Sequence, residues 1–315
     1  MKKLLILAIT LCCSLFTVDA ADKKDLVDYV NPLVGSQSKI SLSTGNTYPA
    51  IAMPWGMNFW MPQTGKMGDG WAYTYDADKI RGFKQTHQPS PWINDYGQFA
   101  IMPVTGKVVF NQDKRASWFS HKAEVAKPNY YRVYLADHDV VTEITPTERA
   151  AMFRFTFPES DNSYVIVDAF DRGSYVKIIP EENKIIGYTT RNSGGVPQNF
   201  RNYFVMTFDK PFSGLELTDA PASYKPGSKV LYPEGGKSVE GDHAVAKVHF
   251  TTARGEQVNV RIASSFISRE QAFQNLKELG DMDFEGVKEQ ARKRWDEVLG
   301  AIEVEGGSID QYRTF

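Results

Sequence analysis

Cysteine is missing from all but the first twenty residues: Cys12 and Cys13 are the only two. Downstream of them, that excludes a disulfide scaffold, a cysteine nucleophile and a thiolate metal site. Histidine is scarce as well. His87, His121, His138, His243 and His249 show neither HExxH nor HxH spacing, so no histidine metal motif is readable. An excess of one charge is absent: 36 Lys and Arg stand against 38 Asp and Glu, a formal net charge of -2. A nearly balanced surface carries no electrostatic footprint for nucleic acid or for an anionic membrane. GxSxG, the P-loop and the dinucleotide fingerprint are all absent, and no internal repeat of fixed period is found.

Aromatic residues are plentiful: 15 Tyr, 19 Phe and 6 Trp make up 13% of the chain. Such rings suit a thick β core, and they also suit a surface that stacks on pyranose faces; most are assigned here to the core. The first segment, MKKLLILAITLCCSLFTVDA, has Lys2 and Lys3, an apolar run from Leu4 to Val18, and small residues at Ala20 and Ala21. This predicts a secretory signal peptide cleaved near Ala20, and hence an exported protein, periplasmic or secreted, with no membrane span. Leu11 stands where lipoprotein signals carry Gly or Ala, so lipidation of Cys12 or Cys13 is not expected.

From residue 25 to residue 70 Pro and Gly are dense and periodicity is poor. A long irregular stretch in a compact domain is usually functional. β-Branched and aromatic runs follow at 99–110, 130–136, 140–147, 150–157, 163–170, 175–180, 184–190, 202–209, 244–252 and 257–266. ADHD (136–139) reads as a hairpin turn. Many short strands punctuated by turn residues predict a mainly β fold, a large β-sandwich.

The pattern then changes. SREQAFQNLKELG (268–280) opens with Ser268 as N-cap and Gln271 three positions later, a capping-box arrangement, and Gly280 ends it. Ala272, Phe273, Leu276 and Leu279 share one helical face. In 284–302, Val287, Ala291, Trp295, Val298 and Ile302 recur at helical spacing. A further helix starts in IDQYRTF. The expected division is a signal peptide (1–20), the β-sandwich (21–267), a helical linker (268–302) and the cut-off start of a catalytic α/α domain (303–315). The chain therefore reads as the N-terminal piece of a longer protein.

One segment is built oddly. THQPSPWINDYG (86–97) packs two prolines, a tryptophan and many hydrogen-bonding side chains together. Proline lacks the N–H and holds its predecessor extended, so this is a stiff loop. Asp69, Asp95, Asp168 and Asp171 lie beside aromatics or glycines. Spacing alone does not identify a carboxylate pair, because glycosidase carboxylates usually come from distant segments. Asp168 and Asp171 read as turn residues or solvated strand ends.

NPLVGS (31–36), GNTYPAIAMPWGM (45–57), RGFKQTH (81–87) and DYGQFAIMPVTG (95–106), in this order, resemble the N-terminal region of glycoside hydrolase family 92. These are calcium-dependent exo-α-mannosidases, secreted mainly by gut Bacteroidetes. The resemblance extends from about Asp25 to the end of the chain. It implies an N-terminal β-sandwich, a helical linker and a C-terminal α/α toroid, with the active site between the two domains. It also implies an inverting mechanism on mannose-containing glycans. The general acid, the base and most Ca2+ ligands are implied to lie in the toroid, beyond Phe315. No catalytic residue and no metal ligand is therefore assigned to this chain.

The resemblance makes Trp92, His87, Asp95, Asn46 and Trp71 the candidate substrate-binding residues. Many members carry a Gly-rich SGxG segment where this chain has PSPW, and the PSPW form resembles the branch acting on α-1,2-linked mannose. Trp92 stacks on a sugar or is a buried tryptophan at the sandwich edge. His87 contacts ligand or is a histidine satisfied by backbone. Asn46 and Asp95 contact ligand or form turns. Trp55, Trp60 and Trp71 are assigned to core or interdomain packing, and Trp71 is the one of the three expected to face the cleft. The competing function is a non-catalytic carbohydrate-binding β-sandwich module; a structural module without a sugar site is a third.

Overall fold

The computed structural model describes residues 25–37, 47–57, 59–65, 72–87, 95–107, 110–219 and 237–315. Two antiparallel sheets dominate it. The first has six strands, in the order Phe59–Gln63, Gly82–Thr86, Ala100–Thr105, Ser160–Asp168, Ala244–Thr252 and Gly214–Asp219. The second has nine: Ser238–Gly241, Ser174–Ile179, Lys184–Thr189, Asn202–Phe208, Glu256–Ser265, Ala150–Phe157, Val140–Pro146, Tyr130–Leu135 and Val125–Lys127. A small ribbon pairs Lys79–Ile80 with Ser117–Trp118.

The alternation of side chains along the strands explains why the sheets pack as a sandwich. In Ala150–Phe157 the residues Ala151, Phe153, Phe155 and Phe157 point to the space between the sheets, and all are buried. Trp60, from the first sheet, meets Phe99 at 5.6 Å and Phe153, on the second sheet, at 4.9 Å, both edge-on. Phe99 stacks on Phe204 at 4.5 Å. Ring pairs of this kind interdigitate across the inter-sheet layer of a sandwich.

The nine-stranded sheet is also covered on its other face. Ala150 and Met152, the alternate residues of the same strand, pack with Ile186, Val205 and Ala263 against Ala272, Leu279, Phe284 and Val287. Those four come from the helices Arg269–Leu276 and Phe284–Leu299 and the turn between them. Burial on both faces is why AAMFRFTF reads as a nearly continuous apolar run.

Several expectations are corrected. The stretch read as irregular contains the strand Phe59–Gln63, and Trp60 in it is central to the core. Of the two alternatives for Trp55, the core is excluded and interdomain packing is left: it is 81% exposed and adopts a left-handed φ of 59°. Ser268 Oγ accepts the Gln271 N–H, but the Gln271 amide bonds Asn275 Oδ1 at 2.9 Å instead of returning to the N-cap. A complete capping box forms at Ser308 and Gln311, opening the helix Ile309–Thr314. The linker helix ends at Leu299, so Ile302 lies past it and is exposed. The Trp295 indole donates to the Ala52 carbonyl at 2.8 Å, tying that helix to the sandwich. Among the described residues no helix is long and apolar enough to cross a membrane.

Candidate functional site

Three strand ends meet at one end of the sandwich: Gly82–Thr86 and Glu256–Ser265 finish there, and Asn202–Phe208 begins. Their side chains at this end are polar, although they lie between the sheets. Gln85 donates to Ser264 Oγ at 2.9 Å, across the sandwich. Asn202 donates to Gln85 Oε1 at 3.0 Å and to the Gly97 carbonyl at 2.6 Å. All three side chains are buried. A buried network of this kind fixes one geometry only while its members find partners.

The network supports the turn Asp95–Gly97. Gly97 takes φ 64°, and a Cβ there would meet Asn202 Cβ at 2.5 Å and the Phe266 ring at 2.7 Å. Only glycine fits both the conformation and the space. Its N–H donates to the Arg191 carbonyl at 2.6 Å, joining the turn to the loop after Lys184–Thr189. The Tyr96 hydroxyl donates to the Gly194 carbonyl in that same loop. Asp95 is buried and accepts the backbone N–H of His87 at 2.9 Å and of Tyr96 at 2.7 Å. His87 Nδ1 lies 2.8 Å from the Tyr96 carbonyl. Tyr48, from the TYPA segment, is buried nearby; burial and then the Asp95 charge hold its phenol pKa far above the usual value.

A second strained segment reaches this end. Phe170, Arg172 and Gly173 have φ of 61°, 72° and 102°. Asp171 between them forms an ion pair with buried Arg191. Burial pushes the Arg191 guanidinium below its usual pKa, and Asp171 only partly restores it. Left-handed conformations at non-glycine residues cluster where surrounding structure over-determines them, often at functional sites. Aromatic rings cover the region: His87 and Phe266 at 4.7 Å, Phe266 and Phe200 at 5.5 Å, Phe200 and Tyr96 at 6.3 Å.

Among the described residues, four buried polar atoms around this turn have no hydrogen-bond partner: His87 Nε2, Gln98 Oε1, Arg191 Nε and Asn202 Oδ1. Each orphaned buried group costs about 1–3 kcal/mol, so a concentration of them marks a place where binding can recover free energy.

The structure brings His87 and Asp95 together. Both Asp95 oxygens serve the turn, and His87 is half satisfied by backbone. Trp92, Asn46, Trp71 and Asp69 lie outside the described residues. Asp168 is not a solvated strand end: it is buried between Arg115 at 2.7 Å and His243 at 2.6 Å. Asp171 holds Arg191. Sequence reasoning missed Gln85, Arg191, Asn202 and Phe266. NSGG (192–195) carries only the signal of a turn between strands, and isolated buried amides leave no periodic signal.

Known proteins place this arrangement in a family. Residues 29–265 match the model of the glycosyl hydrolase family 92 N-terminal domain. A family GH92 inverting mannosidase from Bacteroides thetaiotaomicron is 46% identical, with a TM-score of 0.85 over 92% of this chain and 38% of its own. A GH92 α-mannosidase from the same bacterium, solved with mannoimidazole, is 32% identical, with a TM-score of 0.76 over 88% of this chain and 37% of its own. An uncharacterized secreted glycosidase of Arthroderma benhamiae is 24% identical over 95% of this chain and 41% of its own length. The chain thus spans about two fifths of these relatives. With a matched model covering most of its length and a sandwich that superposes on solved members, the chain belongs to glycosyl hydrolase family 92, through that family's N-terminal domain.

Proposed function

We propose that this chain is the N-terminal part of a secreted, exo-acting α-mannosidase that removes α-1,2-linked mannose from glycans by an inverting, calcium-dependent mechanism. One observation carries the reading: the 46% identity with an inverting mannosidase across 92% of the chain. Inversion uses a general acid and a general base whose carboxyl groups stand about 6.5–9.5 Å apart, leaving room for the attacking water. Those groups are assigned beyond Phe315. This chain's contribution is binding: the turn Asp95–Gly97, with His87 and Arg191 beside it, forms the sandwich's side of a sugar pocket. Among the described residues no group of three or more His, Cys, Asp or Glu side chains could hold a metal ion. The Ca2+ ligands, like the acid and the base, are assigned mostly beyond Phe315.

The linkage rests on the PSPW segment (89–92), where Trp92 offers an indole for stacking on the sugar. Export rests on the signal-like N-terminus, supported by the name of the fungal relative. The test compares α-1,2-, α-1,3- and α-1,6-mannobiose as substrates of the full-length enzyme, with calcium and with a chelator. Proton NMR of the first-formed mannose reports the anomer. Preference for α-1,2, β-mannose as first product and loss of turnover on chelation are expected. Equal rates on the three linkages would remove the α-1,2 assignment. The 315-residue chain alone should show no turnover; hydrolysis by it would overturn the division of labour. In the enzyme, Trp92→Ala should cost about 2–4 kcal/mol in kcat/KM while the fold survives. A lowered Tm with normal kcat/KM would make Trp92 a packing residue.

A further inference from the structure

We propose that Asp95 is the positioning residue of this site: acting through Tyr96, it presents His87 Nε2 as a hydrogen-bond acceptor for a sugar hydroxyl. The proposal deepens the mannosidase reading and rests on it for the identity of the sugar.

The inference starts from one carboxylate. Asp95 Oδ2 accepts the N–H of His87 at 2.9 Å and Oδ1 accepts the N–H of Tyr96 at 2.7 Å. Two backbone donors that lie nine positions apart are thereby held against each other. The result places the Tyr96 carbonyl 2.8 Å from His87 Nδ1. A carbonyl oxygen only accepts, so Nδ1 carries the proton. Burial disfavours the imidazolium, and the Lys84 charge adds to that. The Asp95 charge and the Tyr96 carbonyl act the other way, and the balance lies below the usual histidine pKa. A neutral imidazole protonated at Nδ1 has a bare lone pair at Nε2.

That lone pair is the unused end of the arrangement. Nε2 is buried and takes no hydrogen bond among the described residues, and Phe266 stands against the ring at 4.7 Å. A buried acceptor left without a partner is costly, so a donor brought to it is strongly favoured. A sugar hydroxyl donates; a methoxy or deoxy position does not. Asp95 therefore sets specificity without touching the sugar. It fixes which ring nitrogen bears the proton, and so whether the site asks for a donor.

The test has two arms. In the 315-residue chain, nitrogen NMR of labelled histidine, assigned with His87→Gln, should show His87 neutral and protonated at Nδ1 at neutral pH. In Asp95→Asn, whose amide nitrogen cannot accept, His87 should become a mixture of tautomers. In the full-length enzyme, Asp95→Asn should raise KM for mannobiose roughly tenfold with a smaller change in kcat, as for one lost hydrogen bond. A proton on Nε2, or an imidazolium, in the unmodified chain overturns the proposal. So does an unchanged tautomer in folded Asp95→Asn. A changed tautomer with unchanged KM overturns the sugar contact. If Asp95→Asn does not fold, the unmodified chain's tautomer and the KM of monodeoxy substrates with His87→Gln decide. An enzyme inactive on every mannoside would overturn the mannosidase reading, yet leave the NMR arm readable.

Discussion

In the body of the sandwich His243 Nε2 meets Asp168 Oδ1 directly, at 2.6 Å, while at its end His87 meets Asp95 only through backbone groups. Both pairs are a histidine beside a buried aspartate, and the two imidazoles are shifted in opposite directions. Burial lowers the His243 imidazole, but the touching Asp168 carboxylate outweighs it, and the pKa lies above the usual value. Burial also raises Asp168, while His243 and Arg115 pull its carboxyl well below the usual range. At His87 burial wins, because the Asp95 oxygens are spent on two N–H groups and face the ring less directly. A direct ion contact makes a charge that holds the fold together. A contact relayed through backbone makes a neutral ring with one nitrogen free. Which atoms touch decides between structure and site.

The comparison is broken most severely at Asp168. Asp168→Ala leaves Arg115 and His243 buried without their counter-charge, a loss of about 3–5 kcal/mol. Urea denaturation measures it; a change below 1 kcal/mol would mean that the triad is dispensable. At the other end, Gly97→Ala forces a left-handed alanine against Asn202 and Phe266. It should cost at least about 1–2 kcal/mol from backbone conformation alone, and it should broaden the His87 and Tyr96 NMR signals while leaving those of His243 intact.

The two histidines give the stability curve opposite slopes around the unfolded histidine pKa of about 6.5. His243, raised in the folded chain, contributes stability that is full below that value and is lost as pH rises through its folded pKa. His87, lowered, contributes stability present above that value and lost as pH falls toward its folded pKa. His87→Gln should therefore flatten the acid side of the curve and His243→Gln the alkaline side. Finding both changes on one side would refute the contrast. The smallest effect calibrates the rest. Arg294 and Glu297 form an exposed pair on the linker helix at 3.0 Å. Glu297→Ala should cost only about 0.3–0.5 kcal/mol in the same denaturation experiment.

The sequence by itself determined the sandwich and its helical continuation. Strands with continuous β-branched and aromatic runs, such as AAMFRFTF and AVAKVHFTT, occur with the same bounds in the structure, because burying that much apolar surface leaves them one environment. The ordered motif segments also pointed to the family. The sequence placed His87 and Asp95 at one loop, yet it did not say which of their atoms are engaged. Gly82–Thr86 escaped notice because Lys84, Gln85 and Thr86 are polar and still buried. Gln85, Ser264 and Asn202 lie 117 to 179 positions apart where they bond. Asp168 and Asp95 look alike in one dimension, each beside an aromatic or a glycine. Only the tertiary structure put Arg115 and His243 against one and two backbone N–H groups against the other. The physical reason is range. Apolar burial is set by each strand's own composition, whereas a buried polar group's state depends on partners that only folding brings within hydrogen-bond distance.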